Sequence, residues 1–228
     1  MVFGGIEKFT LIDYPGKLAC MVYTIGCNFR CPYCHNPELV DETTKIRITE
    51  REFFDFLDAR KNMLEGVVIT GGEPTIHDDL PEVMREIKNR GFLVKLDSNG
   101  TRPKMLSSII EKGLADYIAM DIKSPLAAYG RVVARPVDTE AIRQSVALLI
   151  ASSIEYEFRT TLVKGMLSTR DIRQIGREIQ GARRYVLQKF ISTKILNPQF
   201  RNKVSYSDEE MGEFQKMLNV YVDNCYIR

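Results

Sequence analysis

Six short apolar runs, rich in β-branched and aromatic residues, alternate with six helical patterns along almost the whole chain. The runs at 17–25, 66–70, 92–97, 116–123, 155–163 and 185–191 read as strands. The stretches 49–62, 80–90, 103–112, 139–152, 168–180 and 207–223 read as helices. Several helices carry their own start and stop signals. Thr49 has Glu52 three residues on, Ser168 and Ser207 precede acidic first turns, and Gly91 and Gly113 fall where helices should stop. An unbroken series of strand–helix pairs implies a parallel sheet with right-handed crossovers. Six units are too few for a closed eight-stranded barrel. The expectation is an α/β fold, a partial (β/α)6 TIM-like barrel of parallel strands open on one side, with a doubly wound sheet as the alternative. With 228 residues, 44% of them hydrophobic, the chain can bury one substantial core. No repeat or low-complexity linker interrupts it, so a single domain over 1–228 is expected, with 126–138 as the longest surface loop.

The unusual residues fall at the ends of these strands. Cys27 follows the first, "GGEPT" the second, "DSNG" ends the third and "DIK" the fourth. "RTTLVKG" runs through the end of the fifth, and Gln188 lies near the end of the sixth. In parallel α/β folds chemistry collects at the carboxyl ends of strands. Six such coincidences outweigh any one motif.

Formal charges nearly cancel, at +2. That gives no reason to expect a nucleic-acid partner or a membrane surface. The N-terminal "MVFGGIEKF" lacks the basic start and apolar stretch of a secretion signal, so the chain reads as cytoplasmic. In a reducing compartment clustered cysteines point to metal or catalysis rather than disulfides. Three of the five cysteines stand in "GCNFRCPYCHN", at Cys27, Cys31 and Cys34. Three thiolates hold an iron–sulfur cluster and leave one iron without a protein ligand, an open position of the kind a catalytic metal keeps for substrate. A zinc site completed by His35 or Cys20, or three unrelated thiols, are the alternatives. Cys20 and Cys225 read as buried packing residues.

The remaining motifs admit both a chemical and a structural reading. Gly71 and Gly72 let backbone approach a ligand closely, or form a plain turn; Glu73 adds a carboxylate. Asn99 and Gly100 are good turn formers, whereas Asp97 has less structural excuse. Strand alternation puts Ala119, Asp121 and Lys123 on one face. Opposite charges there are costly unless they serve a site or form a structural ion pair. Arg159 suits a carboxylate or a peptide backbone, or fixes a loop. His77 reads equally well as a rim residue or an exposed loop residue.

The C-x3-C-x2-C spacing at the end of a first strand, with Tyr33 before the last cysteine, resembles the radical S-adenosylmethionine superfamily. The later motifs agree with it in order. The resemblance implies a [4Fe-4S] cluster on Cys27, Cys31 and Cys34. Its open iron takes the amino and carboxylate groups of S-adenosylmethionine. It implies that Gly71, Gly72 and Glu73 receive the methionine amino group, and that Asp97, Ser98 and Asn99 lie in the ribose or carboxylate region. "D-x-K" at Asp121 and Lys123, and Arg159, resemble elements of glycyl-radical-enzyme activases. In that group strand-end carboxylates such as Asp97 and Asp121 also hold a monovalent cation. Formate-lyase activases resemble "LPYH" where this chain has "LQKF"; Gln188 replaces the histidine, which counts against a formate-lyase partner. The segment "GGIEKFTLIDYPGKLACMVYTIGCNFRCPYCHNPELV" is similar to the short activating proteins of anaerobic ribonucleoside-triphosphate reductase. The implied activity is reductive cleavage of S-adenosylmethionine by an electron from a low-potential donor such as flavodoxin or ferredoxin. A 5′-deoxyadenosyl radical then removes a glycine Cα hydrogen from the reductase. The same chemistry on another glycyl radical enzyme or on a small molecule is the alternative.

Overall fold

The computed structural model describes residues 1–228. The chain forms two compact units. The first comprises Met1–Asn28, Glu38–Ser98 and Lys104–Ile118; the second comprises Phe29–Pro37, Asn99–Pro103 and Ala119–Arg228. No helix is long and apolar enough to cross a membrane.

In the first unit the strands lie in the order β3 (Ile48–Thr49), β1 (Val2–Thr10), β2 (Ala19–Thr24), β4 (Gly66–Gly71), β5 (Leu93–Ser98). β2, β4 and β5 run parallel, whereas β1 pairs antiparallel with both β2 and β3. Val67, Val68 and Ile69 of β4 are wholly buried, the unbroken apolar run of a strand covered on both faces. Helices α2 (Glu50–Ala59), α3 (Leu80–Asn89) and α4 (Pro103–Glu111) connect the strands. Phe53 of α2 meets Phe3 of β1 edge-on, ring centres 5.0 Å apart. The short α1 (Pro37–Val40) follows the cysteine segment.

β6 (Tyr117–Asp121) begins in the first unit and ends in the second, followed in order by β7 (Glu155–Leu162), β8 (Tyr185–Lys189) and β9 (Cys225–Ile227). β7, β8 and β9 are parallel. Their connections hold α5 (Tyr129–Val133), α6 (Thr139–Ala151), α7 (Thr169–Glu178) and α8 (Asp208–Leu218). The fold is thus mixed α/β with a parallel-strand sheet that does not close, as the alternation predicts.

All six expected strands and all six expected helices form, with boundaries within three residues of expectation except the last helix, which stops at Leu218 rather than 223. Thr49, Ser168 and Ser207 each build a full capping box, with Glu52, Asp171 and Glu210 respectively. One expectation needs correcting. Residues 126–138 are not one surface loop: a 3-10 turn leads into α5, whose Tyr129, Val132 and Val133 are buried. Cys225 is buried, as its reading as a packing residue expects, and it opens β9 and pairs with Tyr185.

The structure also supplies a reason for "LIDYPG". Thr10 Oγ1 donates to Asp13, and the buried Tyr14 sits beside Gly66, where a Cβ would lie 3.0 Å from its ring. Glu65 accepts hydrogen bonds from Lys17 Nζ and from the Leu18 amide, both at 3.0 Å. The segment clamps the start of β2 to the start of β4.

Candidate functional site

In the first unit, Cys27 leaves the end of β2 beside the turn after β4. The Gly72 amide donates to Thr24 O and the Glu73 amide to Gly26 O, each at 2.9 Å. A Cβ on Gly72 would lie 1.8 Å from Gly26 O, and one on Gly71 (φ +116°) 2.4 Å from the Thr24 amide. Backbone therefore meets backbone here, and this close approach is what demands the glycines.

The turn aims the Glu73 carboxylate inward, 2% of the residue remaining exposed. Its Oε1 accepts from the Thr75 amide (3.1 Å), from Thr75 Oγ1 and from Ser98 Oγ (2.9 Å). Three donors on one oxygen orient the carboxylate. Ser98 thus acts through Glu73, and Thr75 is a supporting residue that motif reading passes over. Asp97 has the structural partner its motif did not suggest: the wholly buried Lys95, two residues earlier on the same face of β5. His77 is a structural residue as well, its Nε2 lying 2.9 Å from Ile25 O.

The second unit holds Cys31 and Cys34 in a loop tied down by backbone hydrogen bonds. Arg30 N donates to Val133 O (2.9 Å), Cys34 N to Cys31 O (3.0 Å), Leu196 N to Cys34 O (3.0 Å) and Asn197 N to Pro32 O (2.9 Å). The Asn36 amide points at Cys34 Sγ, 3.4 Å away, as an amide would toward a thiolate. Burial pushes the Cys31 thiol up to about 11 while the Lys123 ammonium pulls it down. Metal ligation requires the thiolate, and Lys123 is the local charge that favours it.

Asp121 and Lys123 pair, as their shared strand face anticipates, and Arg159 joins them, which the sequence did not show. Arg159 Nε donates to Asp121 Oδ1 and Lys123 Nζ to Oδ2, both at 2.9 Å. Burial opposes ionisation of Asp121, but Arg159 and Lys123 outweigh it and hold the carboxyl well below its usual range. Burial likewise opposes the charge on Lys123, and Asp121 restores it. These three side chains carry a net charge of +1 and remain only 11–22% exposed. Tyr129 of α5 locks the end of β6, accepting from the Lys123 amide (3.1 Å) and donating to Asp121 O (3.2 Å). Sequence reading missed this residue; an aromatic inside a stretch taken for loop was its only signal.

Tyr33 is 3% exposed, and its hydroxyl has no hydrogen-bond partner. A buried hydroxyl is rarely left unsatisfied. Gln188 takes a weak bond from Thr161 Oγ1 at 3.4 Å. Asn99 Oδ1 caps the following turn, accepting from the Thr101 amide at 3.1 Å.

Within each unit the side chains have the donor chemistry that an iron–sulfur cluster and a charged small ligand require. The soft thiol donors suit iron–sulfur ligation. The oriented Glu73 suits an ammonium, the cationic cluster at Asp121 suits a carboxylate, and Tyr33 has a hydroxyl awaiting a partner. The zinc alternative loses its extra ligands. His35 stacks on Phe190, with Nδ1 3.0 Å from Lys194 O, and Cys20 is wholly buried in β2, its thiol pushed up to about 12.

Comparison with known proteins bears on this reading. A Methanocaldococcus jannaschii protein named for glycyl-radical enzyme activation is 33% identical over 98% of this chain and 94% of its own length. The pyruvate formate-lyase-activating enzyme of Clostridium pasteurianum is 29% identical over 63% of this chain and 54% of its own length. Streptococcus suis SuiB bound to S-adenosylmethionine shares the fold, with a TM-score of 0.71 at 12% identity, over 91% of this chain and 49% of that one. The chain is therefore an enzyme homologous to glycyl-radical enzyme activases. The family profile of the radical SAM superfamily matches residues 21–175, and the chain belongs to that superfamily, whose members carry a [4Fe-4S] cluster and S-adenosylmethionine.

Proposed function

We propose that the protein is a cytoplasmic activase, one radical SAM domain over 1–228, that installs the glycyl radical of an anaerobic ribonucleoside-triphosphate reductase. The observation that carries this is near full-length similarity to a protein named for glycyl-radical enzyme activation. Gln188 in place of the formate-lyase activase histidine, and the N-terminal segment, support the reductase as the specific partner.

Cys27, Cys31 and Cys34 would hold the cluster, with Lys123 favouring the Cys31 thiolate. When bound and reduced by a low-potential donor such as flavodoxin or ferredoxin, the cluster supplies the electron that opens the sulfonium of S-adenosylmethionine. The chain's other residues bind and orient. Glu73, held by Thr75 and Ser98, receives the methionine ammonium beside Gly71 and Gly72. Lys123 and Arg159, tied together by Asp121, present positive charge to the carboxylate or ribose. Tyr33 offers its hydroxyl to the ligand, and Asp97, Asn99 and Gln188 line the remaining strand ends. A monovalent cation at Asp97 or Asp121 would have to compete with Lys95 at one, and with Lys123 and Arg159 at the other; the proposed chemistry needs none. Water exclusion matters because so reactive a radical attacks any nearby C–H bond.

Alanine at Cys27, Cys31 or Cys34 should abolish 5′-deoxyadenosine release from the reconstituted, chemically reduced protein. Retained turnover in any of the three variants would sink the ligand assignment.

A further inference from the structure

The net charge of +2 conceals a segregation. The second unit carries nineteen Lys and Arg against twelve Asp and Glu, and the first thirteen against eighteen. The unit that holds Cys31 and Cys34 is therefore at +7 and the other at −5.

Part of this excess gathers beside the cysteine loop. A cavity of about 400 Å³ opens at Pro32, between the two cysteines, with Val132, Met166 and Phe200 as apolar lining and Arg131 beside them. The lining is bonded to the loop itself: Asn197 N donates to Pro32 O, and Val133, between the lining residues Val132 and Ala134, accepts from Arg30 N. Lys203 lies within reach of Gly165 on the same cavity, its Nζ 3.9 Å from where a Cβ would stand. Alongside, a second groove of about 470 Å³ is lined by Arg170, Arg173 and Arg177 on one face of α7. Arg131 and Arg170 both act on Asp171.

None of Arg131, Arg170, Arg173, Arg177, Arg201 or Lys203 makes an ion pair, and all are exposed. Two acids of α7 already have hydrogen-bond partners of their own. Asp171 closes the capping box of α7, and Glu178 accepts from the Leu126 amide and from Gln174. Exposed cations without ion-pair partners around a concave apolar floor complement an acidic protein surface, with charge steering the encounter and the floor supplying contact.

We propose that this face docks an acidic one-electron carrier protein, seated over Pro32. The inference rests on the radical reading above. The reduced carrier loses one electron and the cluster gains it; no proton or group moves. Electron transfer weakens steeply with distance, and Pro32 joins two of the cluster's expected ligands.

The test uses the full chain and oxidised flavodoxin as the acidic probe, with binding followed by titration calorimetry at several salt concentrations. Arg131→Glu and Arg173→Glu should each weaken binding by about tenfold, and the pair should make the salt dependence shallower. Arg143→Glu, on the exposed side of α6, should stay within about twofold. Cleavage of S-adenosylmethionine driven by dithionite, which needs no docking, should be the same in every variant, whereas flavodoxin-driven cleavage should fall with affinity. Unchanged flavodoxin affinity in the reversals would overturn the proposal. So would tighter binding of an oligo-uridine strand or of phosphatidylglycerol vesicles than of flavodoxin. Failure of dithionite to release deoxyadenosine from the wild type would instead overturn the radical reading, and the binding isotherms would still decide the docking face.

Discussion

A methyl group on residue 72 would overlap the carbonyl oxygen of Gly26, 1.8 Å from it. Neither backbone can yield without breaking the hydrogen bonds that join the ends of β2 and β4. Gly72→Ala should therefore destabilise the fold by about 3 kcal/mol, read as a lowered urea midpoint. Gly212 makes the control: it lies inside α8 with open space around it, so Gly212→Ala should stabilise by about 0.5–1 kcal/mol. At Asp121 the electrostatics are as specific. Asp121→Asn would leave Lys123 and Arg159 as like charges in a mostly buried place, at a cost of about 3–5 kcal/mol in the cofactor-free protein. Because the folded carboxyl titrates below its usual range, its contribution is full above about pH 4 and is lost as pH falls through the folded value. The stability gap between wild type and Asp121→Asn should thus be constant at neutral pH and narrow in acid. Equal acid sensitivity of the two proteins would contradict the pairing. At this scale the sequence showed which residue types were out of place, such as Asp121, Lys123 and Glu73. Beyond the Asp121–Lys123 pair, it could not show their partners. Nothing in "KLDSNG" marks Lys95 as the buried mate of Asp97, and the glycines read as room for a ligand also make room for a neighbouring strand.

Elements with strong periodicity or a capping signal were legible almost to the residue at their starts, because local chemistry decides them, whereas the last helix stops at Leu218 rather than 223. The three Ser or Thr capping boxes are each closed in the structure. Ser168→Ala should cost about 1 kcal/mol and lower the melting temperature accordingly. The elements that escaped notice lack local signals. β1 carries two adjacent glycines and an irregular burial pattern. β9 has three residues, and β3 two. α5 is a five-residue helix that tertiary packing, not propensity, holds in place. Its hidden value is positional: Tyr129→Phe would leave the Lys123 amide without its hydroxyl partner. A loss of about 1–2 kcal/mol is expected in denaturant unfolding, and an unchanged midpoint would deny Tyr129 that role.

For the whole molecule, the open parallel sheet was readable because an unbroken series of strand–helix pairs admits few arrangements. Charge distribution was not, since a chain total near neutrality says nothing about which residues the fold gathers. Nor does local physics name a protein substrate. The superfamily and its cofactors follow from motif and similarity, whereas the reductase is a reading that only a reaction can test. The measurement is electron paramagnetic resonance on the reconstituted protein, held without oxygen with S-adenosylmethionine, a reductant and the organism's own anaerobic ribonucleotide reductase. The account predicts a glycyl-radical doublet on the reductase, absent when Cys31 is alanine. Deoxyadenosine released with no doublet on the reductase would contradict it.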